Sequence, residues 1–339
     1  MTRTRTPTIL DVAAEAGVSK SAVSRALLGQ GSVSDENRVR IETAAAKLGY
    51  VANAVARSLV SSRTRTIGVV LRDVRKPYYG YLQAAIQAEA ERHDYRIVAT
   101  TNARDLEVED AVREITNLIS LQVDGLVIAP ARLPSEVIAP FLDRLPVVVA
   151  GRQERLAGLS SVSTDDTGGG AALATHLRSL GHDRIAVALV DHAYSHRYHE
   201  RGTAMLEQVT RSGGHAVALP VGRDLDVGDR VDEELGQLEA AGVTAVMCPN
   251  DSAAMDVLQV LRDHGPGATE RYSVTGYDGY GPLAAPYVGL TTFRTPQEEV
   301  GRSAVQLLIE KIEGRTDQDK FVSLRGTVVD GRTARRLTT

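Results

Sequence analysis

The chain has 339 residues, 43% of them hydrophobic and 24% charged, with a formal net charge of −4. That length accommodates a small module plus one or two larger domains. A single cysteine, Cys248, excludes a disulfide framework, no apolar signal segment follows Met1, and no apolar run reaches the roughly eighteen residues of a membrane helix, so a reducing, cytoplasmic setting without membrane contact is expected.

In residues 7–59, PTILDVAAEAGVSKSAVSRALLGQGSVSDENRVRIETAAAKLGYVANAVARSL, Ile9, Val12, Ala13 and Ala16 recur at helical spacing and predict a short amphipathic helix. Gly17 supplies a left-handed residue that ends it and turns the chain. Ser19 is placed to cap a second helix with Ala22, Val23 and Ala26 facing inward, which leaves Lys20, Ser21, Ser24 and Arg25 on or near its outer face. Ser34 caps a third, in which Val39, Ile41, Ala45 and Leu48 are expected to close a small core. Two short helices joined by a tight glycine turn make a helix-turn-helix, whose second helix docks in the major groove of DNA. Charge supports this independently. Residues 1–65 carry ten Lys/Arg against five Asp/Glu, a net of +5, which leaves −9 for the remainder of a chain whose total is −4. A basic head on an acidic body is the asymmetry expected when one end meets phosphate.

From Thr66 the pattern changes to short Val/Ile-rich runs, IGVVL (67–71), YRIVAT (95–100), DGLVIA (124–129), PVVVA (146–150), RIAVALV (184–190), VTAVMC (243–248) and YSVTG (272–276). Helical segments are expected between them at 79–92, 109–121, 168–180 and 253–263. Continuous apolar strands alternating with helices imply parallel sheets covered on both faces. There are too many strands for one compact sheet, so two doubly wound subdomains are expected, with a ligand cleft outside the carboxyl ends of their strands.

Catalytic patterns do not accumulate. Gly168–Gly170 opens a helix without the Lys-Ser/Thr of a phosphate loop, no GxGxxG follows the first strand, and no GxSxG or clustered Cys–His pair is present. His192, His196 and His199 have metal-ligand spacing, but HAYSHRYHER reads better as a cleft loop running into a helix. No enzyme activity, cofactor or metal is expected.

These motifs resemble the lactose–galactose repressor (LacI/GalR) family, residues 7–59 almost residue for residue. TIGVVLRDVRKPYYGYLQAAIQAEA, VDGLVIAP, LPVVVAGR, VSTDDTGGGAALATHLRSLGHDRIA, AVMCPNDSAAMDVLQVLRDHG, SVTGYDGY and LTTFRTPQEEVGRSAVQLLIEKIEG follow in the family's order, so the likeness spans essentially the whole chain. It implies an α/β fold with an N-terminal helix-turn-helix headpiece (1–50), a hinge helix and linker (51–65), and two doubly wound parallel-sheet subdomains of the periplasmic-binding-protein-like type I kind. Those subdomains would be 66–161 with 293–320 and 162–292 with 321–339. It further implies DNA contacts from Thr8, Ser19, Lys20, Ser21, Ser24, Arg25, Ser34 and Asn37. Asn53, Ala56 and Leu59 match the hinge helix, with Leu59 the apolar wedge in the minor groove.

In the cleft the matched positions are Tyr78, Tyr79, Arg152, Ser195, His199, Asn250 and Asp278; either tyrosine alternatively reads as a core residue under the first helix of the body. The chain departs from the family pattern at Ala22 (commonly Thr), Ala52 (commonly Pro), Gly151 (often a carboxylate), His199 (commonly Arg) and Leu225 (an aromatic in some relatives). The loss of an arginine clamp and a stacking face is therefore expected in the cleft. By resemblance the protein is a sequence-specific transcriptional regulator, usually a repressor in such families. It would act as a homodimer on a near-palindromic double-stranded operator and be controlled by a small-molecule, carbohydrate-like effector. The tail VVDGRTARRLTT lacks a leucine heptad, which favours a dimer over a tetramer. Two other readings stay open: a regulator whose main corepressor is a partner protein, and a solute-binding protein.

Overall fold

The computed structural model describes residues 7–28, 33–50, 63–101, 108–129, 133–222 and 226–337. Ala52, Asn53, Ala56, Leu59 and Leu225 lie outside the described residues. The chain divides into two compact units, Met1–Arg65 and Thr66–Thr339.

The first unit contains α1 (Ile9–Ala16), α2 (Lys20–Leu28) and α3 (Asp35–Leu48). Thr8 and Asp11 form a reciprocal cap on α1: the Thr8 amide donates to Asp11 Oδ2 at 2.7 Å while the Asp11 amide donates to Thr8 Oγ1 at 3.4 Å. Gly17, at φ 63°, ends the helix in the left-handed conformation that any side chain would strain. Val12, Ala13, Ala16, Val23, Ala26, Ile41, Ala44 and Ala45 form the core, and Arg40 ties α3 to α1 by donating to the Ala16 carbonyl at 2.6 Å. Val39 does not join this core; it is 61% exposed. Two residues on a helix span about 200°, so Val39 cannot share the face on which Ile41, Ala44, Ala45 and Leu48 follow at intervals of three and four.

The second unit holds two six-stranded sheets. In chain order the first is entered by β1 (Thr66–Leu71), α4 (Pro77–Arg92), β2 (Arg96–Thr101), α5 (Val108–Ser120), β3 (Gly125–Ala129), the single turn α6 (Ser135–Ile138), β4 (Val147–Ala150) and β5 (Ser160–Thr164). The chain then crosses into α7 (Asp166–Ser179), β6 (Arg184–Val190), α8 (His196–Arg211), β7 (His215–Val221), α9 (Val227–Ala240), β8 (Ala245–Met247), α10 (Asp251–Asp263), α11 (Pro266–Arg271), β9 (Ser273–Asp278) and β10 (Thr291–Arg294). It returns for α12 (Gln297–Ile312) and β11 (Phe321–Leu324), and ends its strands with β12 (Thr327–Val329). The sheet orders are β11-β5-β4-β3-β1-β2, all parallel, and β12-β10-β9-β8-β6-β7, parallel except for the β10–β12 pair.

This topology corrects the expected subdomain limits. Residues 160–164 stay in the first sheet, 291–294 belong to the second, and 321–324 return to the first, so the crossings fall at 165, 295–296 and 325–326. The reason is edge pairing. β11 is a short, largely exposed strand whose place is decided by its parallel register with β5, Phe321 opposite Ser161 and Leu324 opposite Thr164, not by its own apolar content. Both faces of each sheet carry apolar clusters, Val69, Leu82, Ile86 and Leu308 on one side of the first and Val70, Ile115, Leu118 and Ile128 on the other.

Candidate functional site: a basic helix face and a tyrosine-lined cleft

On α2, Lys20, Ser21 and Arg25 are exposed and Ser24 is half-buried, while Val23 and Ala26 face the core. Ser19 Oγ accepts from the Ala22 amide at 3.1 Å and Ser34 Oγ from the Asn37 amide at 3.4 Å, so both serines hold helix starts. Ala22 is half-buried. The outward side chains offer two cations and two hydroxyls within one and a half helical turns, a donor set suited to base edges and phosphates.

In the body, a cavity of about 260 Å3 opens where the carboxyl ends of both sheets meet. Arg72 follows β1, and Lys76, Pro77, Tyr78 and Tyr79 start α4; from the other subdomain come Tyr194 and Ser195 after β6, Arg197 and Tyr198 at the start of α8, Asn250 and Asp251 after β8, and Asp278 and Tyr280 after β9. Side chains from the two subdomains touch across it. Arg197 Nη1 donates to Tyr78 Oη at 3.0 Å and Arg72 Nη2 donates to Tyr194 Oη at 3.5 Å; outside the cavity, the rings of Tyr81 and Tyr280 lie 4.6 Å apart at a tilt of 37°.

Behind the wall lies a buried ion network. Arg197 Nε donates to Asp166 Oδ2 at 2.6 Å and Arg201 Nη2 to Asp166 Oδ1 at 2.6 Å, while Arg201 Nη1 donates to the Pro249 carbonyl. Arg201 is fully buried and its guanidinium sits 3.3 Å from the centre of the Tyr277 ring. Burial alone would raise the Asp166 carboxyl, but Arg197 and Arg201 outweigh it and hold it below the usual carboxylate range. Gly170 permits the approach: a Cβ there would stand 2.6 Å from the Arg201 carbonyl, so only glycine lets α7 lie this close to α8.

The two remaining acids differ. Asp251 is tied down, accepting from the Gly279 amide at 2.8 Å and Thr292 Oγ1 at 2.5 Å, and burial still pushes it to about 6. Asp278 stands in the left-handed region at φ 111°, a conformation costly for a residue with a side chain. Burial raises its carboxyl to about 7, against the attraction of Arg201.

Tyr78, Tyr79, Ser195, Asn250 and Asp278 thus line one cavity, with Ser195 and Asn250 also capping α8 and α10 through the Tyr198 amide at 3.4 Å and the Ala253 amide at 2.9 Å. Arg152 and His199 do not join them. Arg152 is paired with Glu154, which also accepts from Ser135. His199 Nδ1 lies 2.9 Å from the Val190 carbonyl. Arg197, not His199, reaches the cavity wall from α8. It lies two residues before His199 and so about 200° away around the helix, whereas Arg197 and Arg201, four apart, share the inner face. That i,i+4 arginine pair in HRYHER was the signal available in the sequence. Arg72, Asp166, Tyr194 and Tyr280 carried no such local mark. His192 and His196 contact each other at 2.7 Å, and among the described residues no group of three or more His, Cys, Asp or Glu is placed to hold a metal. His182 is buried, with its ring nitrogens 2.9 Å from Thr244 Oγ1 and 2.9 Å from the Arg335 carbonyl, which fastens the turn before β6. Among the described residues no helix is long and apolar enough to cross a membrane.

Comparison with known proteins bears on both units. Residues 8–53 match the family model for bacterial regulatory proteins of the lacI family, and residues 174–334 match a periplasmic binding protein-like domain. The chain is 31% identical over 326 residues to the transcriptional regulator GalS of Salmonella typhimurium (strain LT2), covering 91% of each chain. A transcriptional regulator CelR–cellobiose complex is 26% identical, with 96% of this chain and 99% of that one covered and a TM-score of 0.67. The lac repressor dimer bound to operator and the anti-inducer ONPF shares the fold at a TM-score of 0.83 and 24% identity, covering 98% of this chain and 100% of that one.

Proposed function

The chain belongs to the lacI family of bacterial regulatory proteins and is a DNA-binding transcriptional regulator, and from that premise we propose that it is a homodimeric, cytoplasmic repressor whose operator binding is set by a small carbohydrate-like effector in the cleft. One observation carries the effector reading: the cavity is lined from both subdomains, and Arg197–Tyr78 and Arg72–Tyr194 bridge it. A ligand seated there exchanges these bridges for its own contacts and so biases how far the two subdomains close. The coupling is reciprocal: operator DNA shifts ligand affinity by the factor by which the ligand shifts DNA affinity. Asn250, Ser195 and Asp278 supply the polar contacts for hydroxyls, and the tyrosines supply faces for a sugar ring. The cellobiose bound by the CelR relative supports a carbohydrate class.

On DNA, Lys20 and Arg25 are assigned to the major groove. Thr8, Ser19, Ser21, Ser24, Ser34 and Asn37 hold the backbone or the helix starts that approach it. Two-fold symmetry of a dimer requires a near-palindromic operator. The test is selection of bound duplexes from a random pool at near-physiological salt without ligand, with enrichment of a near-palindrome expected. Repeating it with Lys20→Ala relaxes preference at one position of each half-site, a change of about 1–3 kcal/mol per base pair. An equal loss on every sequence would make Lys20 a phosphate contact, and failure to enrich any palindrome would remove the dimeric reading.

A further inference from the structure

One side chain stands between the cleft and the place where the chain crosses back to the first subdomain. Tyr280, two residues after β9, lines the cavity described above, and of the described residues that line it Tyr280 alone also lines a second cavity of about 530 Å3. The second cavity is bounded by the crossings at 295–296 and 325–326, through Thr295, Pro296, Arg325 and Gly326, and by Tyr81 of α4.

The Tyr280 hydroxyl is fastened to the first of these crossings. It donates to the Thr295 carbonyl at 2.5 Å and accepts from the amide of Gln297, the first residue of α12, at 3.1 Å. The loop behind it is bound to the same strand: the Thr295 amide donates to the Asp278 carbonyl at 3.1 Å, and Arg294 Nε donates to the Gly279 carbonyl at 3.1 Å. A Cβ at Gly279 would stand 2.6 Å from Arg294 Cα, so the loop lies directly on the strand that leads into the crossing. On its other side the Tyr280 ring meets Tyr81 of the first subdomain. Tyr280 therefore touches the cavity, the crossing and the opposite subdomain at once.

The space on its two sides is unequal. The cleft cavity, about 260 Å3, lies below the about 300–1,000 Å3 usual for ligand clefts, so a ligand of that usual size must displace a wall. Arg197 and Asp251 are pinned, the first by Asp166 and the second by Gly279 and Thr292. The half-buried Tyr280 ring has the larger cavity beside it.

We propose that Tyr280 is a positioning residue that acts as a ligand-sensitive latch. Its hydroxyl holds the crossing at 295–296 in one setting, and a ligand that pushes the ring toward the second cavity releases that grip and changes the angle between the subdomains. This rests on the cleft being the effector site.

The experiment measures the distance between two spin labels, one on each subdomain, in the full chain. Cys248 is the only cysteine and is buried, so Asp143→Cys and Gln259→Cys, at exposed positions, take the labels. Tyr280→Phe keeps the ring against Tyr81 and deletes only the hydroxyl with its two hydrogen bonds. Without ligand it is expected to raise the share of a second interlabel distance by about tenfold. Tyr81→Ala, at a position 42% exposed, leaves the hydroxyl in place, acts in the same direction by less, and serves if Tyr280→Phe does not fold. Cellobiose and D-glucose are the probes: the parent chain shifts to that same second distance, and the Tyr280→Phe chain, already released, shifts little further. An interlabel distance unchanged by Tyr280→Phe, even with a lowered thermal midpoint, overturns the latch, since a side chain that only supports the fold would give that result. A parent chain moved by sugar to a distance that Tyr280→Phe does not populate overturns it as well. A released Tyr280→Phe chain beside a parent that answers neither sugar supports the latch and overturns the carbohydrate reading of the cleft.

Discussion

The two units place their candidate functional residues by opposite means. In the head, Lys20, Ser21 and Arg25 lie on one nine-residue helix, exposed, while Val23 and Ala26 of the same helix are turned to the core. Local spacing alone decides which side chains face outward. In the cleft, Arg72, Arg197, Asn250 and Asp278 come from four separate strand ends and gather only when two sheets are complete. The head therefore separates reading from folding, whereas in the body the groups that shape the cleft are also those that hold it together.

The largest expected effect strains the body's side of that contrast. Asp166→Ala leaves Arg197 and Arg201 buried without their carboxylate, a loss of about 3–5 kcal/mol. Urea unfolding should show the body transition moved to lower denaturant while the isolated head's helical signal is unchanged; an unmoved body transition would show that the network does not hold the subdomain. In the head, Ile41→Ala removes a fully buried side chain and should cost about 2–5 kcal/mol, with DNA binding lost before effector binding. Val39→Ser, two residues earlier and 61% exposed, should stay within about 0.5 kcal/mol. If the two substitutions cost the same, the helix face assigned to the core is wrong.

A smaller effect is a pH slope confined to the body. The folded state holds the Asp278 carboxyl at about 7 and Asp251 at about 6, both above an unfolded carboxylate near 4. The folded state thus binds more protons in that window, and the stability this contributes is present below about pH 4 and lost as pH rises through 6 to 7. Asp278→Asn should raise the thermal midpoint at pH 8 and remove the Asp278 share of the slope between pH 5 and 8. A slope unaltered by the substitution would assign the linkage elsewhere.

How much of this could be read beforehand follows the same division. The helix-turn-helix was legible because capping, the left-handed Gly17 and the 3.6-residue period act within a few residues of one another. Val39 departs from the apolar face because it lies two residues, about 200°, from Ile41. The doubly wound body was legible from its alternating apolar runs, whereas Tyr78, Tyr79, Ser195, Asn250 and Asp278, which line one cavity, were marked only through the family resemblance. Arg152 and His199 were not excluded from the cleft, because a side chain's neighbours depend on which way its helix or loop is rotated against the sheet. Asp166 and Arg201 were missed for the same reason: their partnership spans 35 residues.

The sequence by itself determined the head, the alternation of strands and helices, the sign of each unit's charge and the strand ends at which the cavity opens, since these follow from local period, composition and chain order. Only the tertiary structure decided that Phe321–Leu324 pairs with the first sheet, that Arg197 rather than His199 lines the cavity, and that Arg72, Asn250 and Asp278 line the same cavity. Edge pairing, helix rotation and the desolvation of a buried charge arise from contacts between distant segments, which no local pattern encodes.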